Sequence, residues 1–467
     1  MTFAEEPIDR DSFTRLEAGG LRLGLLDTAD REAFAAWIQA DSRGFHGGTV
    51  ADKQIDEQLQ TVGYRRTSGV WDDSAADSAT PVATVSSWPT ALTVPGETTV
   101  SAWAISSVTV SPTHQRRGIA RALLEAELRT AHGLRVPLAI LTVSEATIYS
   151  RFGFAPTAMT ASLSIDTRRA SWTGPTASGH VQFISLEQLS ETGRPIAERA
   201  RRDVPGEIEL DDYLWGRLIG LLSDDKDESK SLRAVIYRDS AGIPQGFALY
   251  RLAGDATDFS SHTATVEHLC TATDDAYAGL WRYLLELPLV TTVVAPMRSV
   301  DEPLLWQVAD SRAVRTTQRR DHLWARILDV TAALEARRYN APALIALDVT
   351  DPLGFAQGRV LLTIAASGAA TGAATGGASG AATGAASSGA TGAATCAATV
   401  TPLDGEAPDD AASLALTVNE LGALYLGGVS AHTLARAGRV TELRPGSADA
   451  VDAAFRSPVT PWLSSWF

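Results

Sequence analysis

The chain has 467 residues, 45% of them hydrophobic, enough for about three domains with packed cores. Its formal charge of -15 excludes a general nucleic-acid binder and favours a cationic partner. Two cysteines, Cys270 and Cys396, are too few and too far apart for a disulfide framework or a metal site, and no run approaches the length of a membrane span.

Residues 13–26 read as a first strand. Residues 28–40 read as a helix, with Phe34, Trp37 and Ile38 at helical spacing behind the capping residues Thr28 and Asp30. A Gly-rich turn over 41–48 carries Phe45 and His46, and 71–81 is a polar hairpin tip. Neighbouring strands follow at 82–88 and 98–110. In the second, Val100, Ala102, Ala104, Val108 and Val110 fall on one face at period two, with Ser106 the weak position. Pro112 ends it. Gln115-Arg116-Arg117-Gly118-Ile119-Ala120 then opens a helix with apolar residues at 119, 120, 123, 124, 126 and 128. This junction is suited to phosphate: the first-turn N–H groups lack intrahelical partners, the helix dipole is positive there, and Gly118 lets an anion approach the backbone. Residues 138–143 form a near-continuous apolar run, as a parallel strand covered on both faces requires. A short helix then carries Tyr149-Ser150-Arg151-Phe152-Gly153-Phe154.

A polar stretch with Pro and Gly at 168–179 reads as a linker, after which the α/β pattern restarts. Strands are expected at 246–251, 265–269 and 290–296, and helices at 277–287 and 302–309. Where the earlier copy has its basic turn, this one has Thr273-Asp274-Asp275-Ala276, whose carboxylates would repel a pyrophosphate. A third segment begins near Arg319-Arg320-Asp321-His322, with strands at 343–349, 358–364 and 414–418 and helices at 420–428 and 430–437. Residues 366–398 are almost wholly Ala, Gly, Thr and Ser and lack large apolar side chains, so they are expected to be a disordered insert. The sequence closes on Pro461-Trp462-Leu463-Ser464-Ser465-Trp466-Phe467.

Gln-x-x-Gly-x-Ala after a Val-x-Val strand, followed by Tyr-x-x-x-Gly-Phe, resembles the acetyl-CoA signature of the GNAT acetyltransferases. Residues 92–96, 111–118, 144–154, 321–339 and 421–428, in that order, resemble the enhanced intracellular survival (Eis) family of bacterial GNAT acetyltransferases. The resemblance implies two tandem GNAT-like α/β domains followed by a sterol-carrier-protein-like α+β domain: a catalytic domain over 1–166, a degenerate copy over 167–322 and the last domain over 323–467. It also implies a homohexamer, a trimer of dimers, that uses acetyl-CoA and no metal to N-acetylate amines, aminoglycosides among them; the opening MTFAEEPIDR, with no basic start and no apolar h-region, makes a cytoplasmic location the expectation. Cofactor contacts carry over to Val108, Thr109, Val110, Arg116, Arg117, Gly118, Ile119, Ala120, Arg121, Ser144 and Glu145. Tyr149 falls at the position of the general acid, and the carboxylate of Phe467 at that of the general base. Three departures are the 366–398 insert, Trp466 where relatives can have Glu, and Gly44 where relatives can have Asp.

Acetyl transfer from a thioester to an amine needs a polarised carbonyl, a neutral amine, a stabilised developing charge and a leaving thiolate. The Val110 N–H could serve the carbonyl oxygen, while Val108 and Thr109 pair with the pantetheine arm. Arg116, Arg117 and Arg121 add charge for the phosphates, although Arg121 is equally readable as a surface charge. A tyrosine phenol, with a pKa of about 10, can protonate a thiolate, or Tyr149 can merely pack its ring. His46 and His114 are rival acid–base groups. The alternative reading, from a different class, is a lipid- or partner-binding protein with a vestigial acetyl-CoA site and no membrane span.

Overall fold

The computed structural model describes residues 2–222, 231–254, 258, 260–366 and 396–467. The strands of the first two-thirds of the chain are β1 (Arg22–Leu25), β2 (Arg66–Trp71), β3 (Ala83–Val94), β4 (Thr98–Val110), β5 (Leu138–Thr142), β6 (Ala155–Asp166), β7 (His180–Ile184), β8 (Arg233–Arg238), β9 (Pro244–Gly254), β10 (His262–Thr271), β11 (Val290–Arg298) and β12 (Val314–Ile327). They join in one sheet of order β1-β2-β3-β4-β5-β12-β6-β11-β10-β9-β8-β7. The remaining strands, β13 (Ala343–Thr350), β14 (Gly358–Ala365), β15 (Ala397–Pro402), β16 (Ala412–Thr417) and β17 (Thr441–Glu442), form a second sheet of order β15-β14-β13-β16-β17.

The first two units are not separable along the chain. β12 lies between β5 and β6, pairing antiparallel with both, while the far end of β6 pairs with β11. The expected boundary at 322 therefore falls inside β12. The last six residues of that strand are buried, and five of them, Leu323–Ile327, pair with β5. Arg326, itself buried, forms a bidentate pair with Asp351 just beyond β13, at 2.8 Å to each oxygen, and ties this strand to the third unit.

Local chemistry explains the other departures. The expected strand over 13–26 is a helix, Arg10–Glu17, capped by Asp9 accepting from the Ser12 N–H, and only four residues follow as β1. The helix expected over 28–40 runs from Arg31 to Gly44, capped by Asp30. The helix expected over 302–309 shrinks to a single 3-10 turn, Pro303–Trp306. Of the insert expected over 366–398, residues 367–395 lie outside the described residues, and its last two belong to β15.

β4 changes face partway along. Val100, Ala102 and Ala104 join the core shared with the third unit, whereas Val108 and Val110 pack on the opposite side, against the helix Ile119–Gly133. The cause is one extra residue: Ser107 has φ 55°, and the β3–β4 register slips between Thr84 and Ser86. A bulge shifts the inward and outward alternation by one position. In the third unit the inner sheet face, including Leu347, Leu362 and Leu416, is filled by the chain's own Tyr339, Leu421, Tyr425 and Phe455.

Candidate active site

The site is set by a strand pair that separates. β4 and β5 run parallel and pair only over Ala102–Ala104 and Leu138–Ile140, while β4 continues to Val110. Beyond Ala104, the β5-facing edge of β4 has no strand partner among the described residues. The Ser111 N–H donates to Val82, towards β3. Since N–H groups alternate along a strand, those of Val110 and Val108 point into the gap. Thr109 faces the other way from its neighbours' side chains and shares a 2.6 Å hydrogen bond with Thr84.

The turn beyond the gap is built for an anion. Arg116 (φ 63°) and Gly118 (φ 78°) both enter the left-handed region, a pattern that turns backbone N–H groups to one side. Gly118 caps the Ile119–Gly133 helix without any side-chain hydrogen bond, and a Cβ there would meet nothing within 4 Å. Ile119 is buried as the hydrophobic anchor of this turn, and Ala120 is half-buried. Arg116 is exposed and has no partner among the described residues. Arg117 donates to the Gly19 carbonyl at 3.0 Å and lies 3.6 Å from Asp72. Arg121 is engaged by Glu125 at 2.7 Å. His114 bridges Thr113 and Asp72, at 2.8 and 3.1 Å, and so braces the turn. Hydrogen bonds from Ser74, then from His114, hold the Asp72 carboxyl well below the usual range. Ser144 and Glu145 are exposed at the mouth of the gap, with Glu145 opening the short helix Ala146–Tyr149.

Tyr149 and Phe467 reach the end of β5 from opposite faces. Tyr149 is buried, edge-on to Phe154 at 6.4 Å, and burial, followed by the Glu145 charge, raises its phenol pKa. Phe467 lies on the other face, its ring edge-on to Trp88 at 5.9 Å. The Thr142 hydroxyl, on the last residue of β5, donates to a main-chain oxygen of Phe467 at 2.8 Å. No hydrogen bond or ring contact joins Tyr149 to Phe467. His46 is exposed with φ 62°.

Two features escaped the sequence reading. Asp41, near the end of the Arg31–Gly44 helix, faces Thr84 at 3.5 Å and the bulge residue Ser107; burial pushes its carboxyl up to about 7, against hydrogen bonds from Ser107 and Thr84. Its place in a Gly-rich turn was visible, but its burial depends on β3 and β4. Gly44 also has a packing reason, because a Cβ there would sit 2.5 Å from the Thr109 side chain. Beside the Trp88 face opens a cavity of about 800 Å³ between the first and second units, lined by Tyr64, Trp88, Glu207, Asp211, Trp215 and Trp462 among others.

Comparison with known proteins agrees with this arrangement. Residues 26–157 and 206–337 each match an acetyltransferase (GNAT) domain family, and residues 330–464 match a sterol carrier protein domain family. The N-acetyltransferase Eis of Mycobacterium tuberculosis is 32% identical over 376 residues, covering 79% of this chain and 81% of that protein. The chain belongs to the Eis family of GNAT acetyltransferases. A further relative, an uncharacterized N-acetyltransferase of Streptomyces avermitilis, is 32% identical over 441 residues, covering 93% of this chain and 96% of its own. The crystal structure of Eis1 from Mycobacterium abscessus superposes with a TM-score of 0.75 at 27% identity, covering 96% of this chain and 100% of that one. As an Eis-family member the chain is an acyltransferase, with two GNAT domains followed by a sterol-carrier-like domain. Among its described residues no helix is long and apolar enough to cross a membrane.

Proposed function

We propose that this Eis-family chain transfers an acetyl group from acetyl-CoA directly to a primary amine of a cationic acceptor, with aminoglycosides and other polyamines as the classes to test. Bound acetyl-CoA supplies the acetyl group in activated, thioester form. The turn suits its pyrophosphate: the N–H groups from Gly118 to Ala120 and the Arg116 side chain, without partners among the described residues, lie where Gly118 leaves open space. Arg117 and Arg121 contribute charge from the rim while held by their protein partners. Val108 and Val110 present N–H groups along the open edge of β4, with Val110 placed to serve the carbonyl oxygen. The Tyr149 phenol stays protonated at neutral pH and gives its proton to the departing thiolate. In this reading the Phe467 carboxylate takes the proton from the acceptor ammonium.

The observation that supports the reading most directly is the hydrogen bond from Thr142, the last residue of β5, to a main-chain oxygen of Phe467. The test adds one Gly after Phe467. This moves the carboxylate by up to about 3.8 Å and removes no side chain. With a polyamine acceptor and CoA release as the readout, kcat is expected to fall roughly 10²- to 10⁴-fold with acetyl-CoA affinity unchanged. Normal turnover would move the base elsewhere, and Asp41 is then the next carboxyl to replace.

A further inference from the structure

The second unit repeats the architecture of the first, including its separating strands. β10 and β11 run parallel and pair over His262–Thr265 and Val290–Val294, then continue to Thr271 and Arg298 without pairing to each other. In the first unit the equivalent gap is open. Here it is filled. The buried Arg298 crosses from β11 to donate to the Leu269 carbonyl of β10 at 3.0 Å, held from behind by Glu302 at 3.2 Å. Over Arg298 lies Trp462, its ring 4.9 Å from the guanidinium carbon and its indole N–H donating to the Met297 carbonyl at 3.0 Å. The turn at the helix after β10 is likewise closed to phosphate: Asp275 accepts from the Ser178 N–H, the Ser178 hydroxyl and the Tyr237 hydroxyl.

From Trp462 the chain passes over the sheet to the other gap. Between β11 and β5 lie β6 and β12, three inter-strand steps or roughly 14 Å. The five residue steps from Trp462 to Phe467 span roughly 17 Å when extended. The segment is pinned along the way. The Trp462 N–H donates to Pro205 at 2.9 Å, and the Ser464 N–H donates to Glu207 at 3.0 Å. His322 of β12 donates from Nε2 to the Ser465 carbonyl at 2.7 Å. Gly206 is required beneath it, since a Cβ there would meet the Trp462 carbonyl at 2.8 Å.

We propose that the second unit is the clamp for the first unit's catalytic carboxylate: its own acyl slot has become the socket for Trp462, and Trp462 is a positioning residue that sets where the Phe467 carboxylate lies. This rests on the reading of Phe467 as the base. It gives a copy with a closed phosphate turn a mechanical part in the reaction, and it predicts that a residue in one gap governs proton removal in the other.

The test compares Trp462→Ala with the Gly-extended enzyme in the full-length protein. Trp462→Ala is expected to lower kcat about 10- to 100-fold, the cost of misplacing a reacting group by about an ångström. Acetyl-CoA affinity should be unchanged, and added formate should restore turnover in the variant but not accelerate the parent. Trp462→Phe keeps the ring over Arg298 and loses only the indole hydrogen bond, so a fall of about 3- to 10-fold is expected; it decides the matter if the Ala variant does not fold. Normal turnover by both Trp462 variants beside an inactive Gly-extended enzyme would overturn the clamp and leave the base assignment standing. Normal turnover by all three would remove the base assignment itself. A loss of acetyl-CoA affinity matching the loss of kcat, without rescue by formate, would show a merely structural tryptophan and overturn the proposal.

Discussion

Glu207 makes a linked, measurable prediction. Burial pushes its carboxyl from 4.5 up to about 7, against weaker opposing effects from the Ser464 hydrogen bond and the Arg298 and Arg201 charges. Between those two values the folded chain holds a proton that the unfolded chain has released. The contribution to stability is therefore complete below pH 4.5, falls as pH rises towards 7 and levels off above it. The span of about 2.5 pH units, at roughly 1.4 kcal/mol each, amounts to ~3 kcal/mol. Glu207→Gln keeps an oxygen for the Ser464 N–H and removes the titration. At pH 5 the two proteins should unfold at nearly the same urea concentration. At pH 8 the variant should be the more stable by roughly 1–3 kcal/mol, the lower figure allowing for an amide N–H without a partner. Urea midpoints at a series of pH values are the measurement; a chain of several units calls for comparing each transition rather than one global free energy. A difference between the two proteins that is the same at pH 5 and pH 8 would refute the reasoning.

Gly118→Glu should abolish acetyl-CoA binding in a calorimetric titration while leaving the melting profile within a few degrees of the parent. The added Cβ meets open space, and the left-handed φ costs about 1–2 kcal/mol. Arg326→Met should lower stability in urea by roughly 3–5 kcal/mol, because it strands the buried Asp351 carboxylate, and replacing Asp351 as well should recover part of that loss.

What was legible in the sequence was local. The β4 strand, the Gly118 turn and the helix behind it follow one another within 36 residues, and each has its own signal in spacing, glycine and capping geometry. The helix Leu186–Arg202 is not legible in the sequence because it is densely charged and holds Pro195 in its interior, features that oppose a helix until Leu189 and Ile196 pack with Trp215, Ile236 and Phe247. Ser107 is an ordinary strand residue by type, so the bulge that turns Val108 and Val110 over cannot be read without β3 beside it. Asp41 is charged in a turn by sequence and acquires its shifted titration only from neighbours more than 40 residues away. The docking of the Pro461–Phe467 stretch was foreseeable from its aromatic density, but its route, through Glu207 and His322, was not.

The placement of β12 has a consequence for synthesis. The first unit's strand β5 finds its β12 partner roughly 180 residues later in the chain. A ribosome that has made all of β1 to β6 has therefore made a sheet with a missing slat, whose flanking strands expose unpaired backbone until the second unit is nearly complete. The nascent chain must tolerate that opening for many seconds at ordinary elongation rates. A fragment ending after β6 would lack the strand that fills the ladder between β5 and β6, and it is expected to show no acetyltransferase activity. The two units thus complete one sheet together, because the strand that fills the ladder between β5 and β6 is made only after β7 to β11.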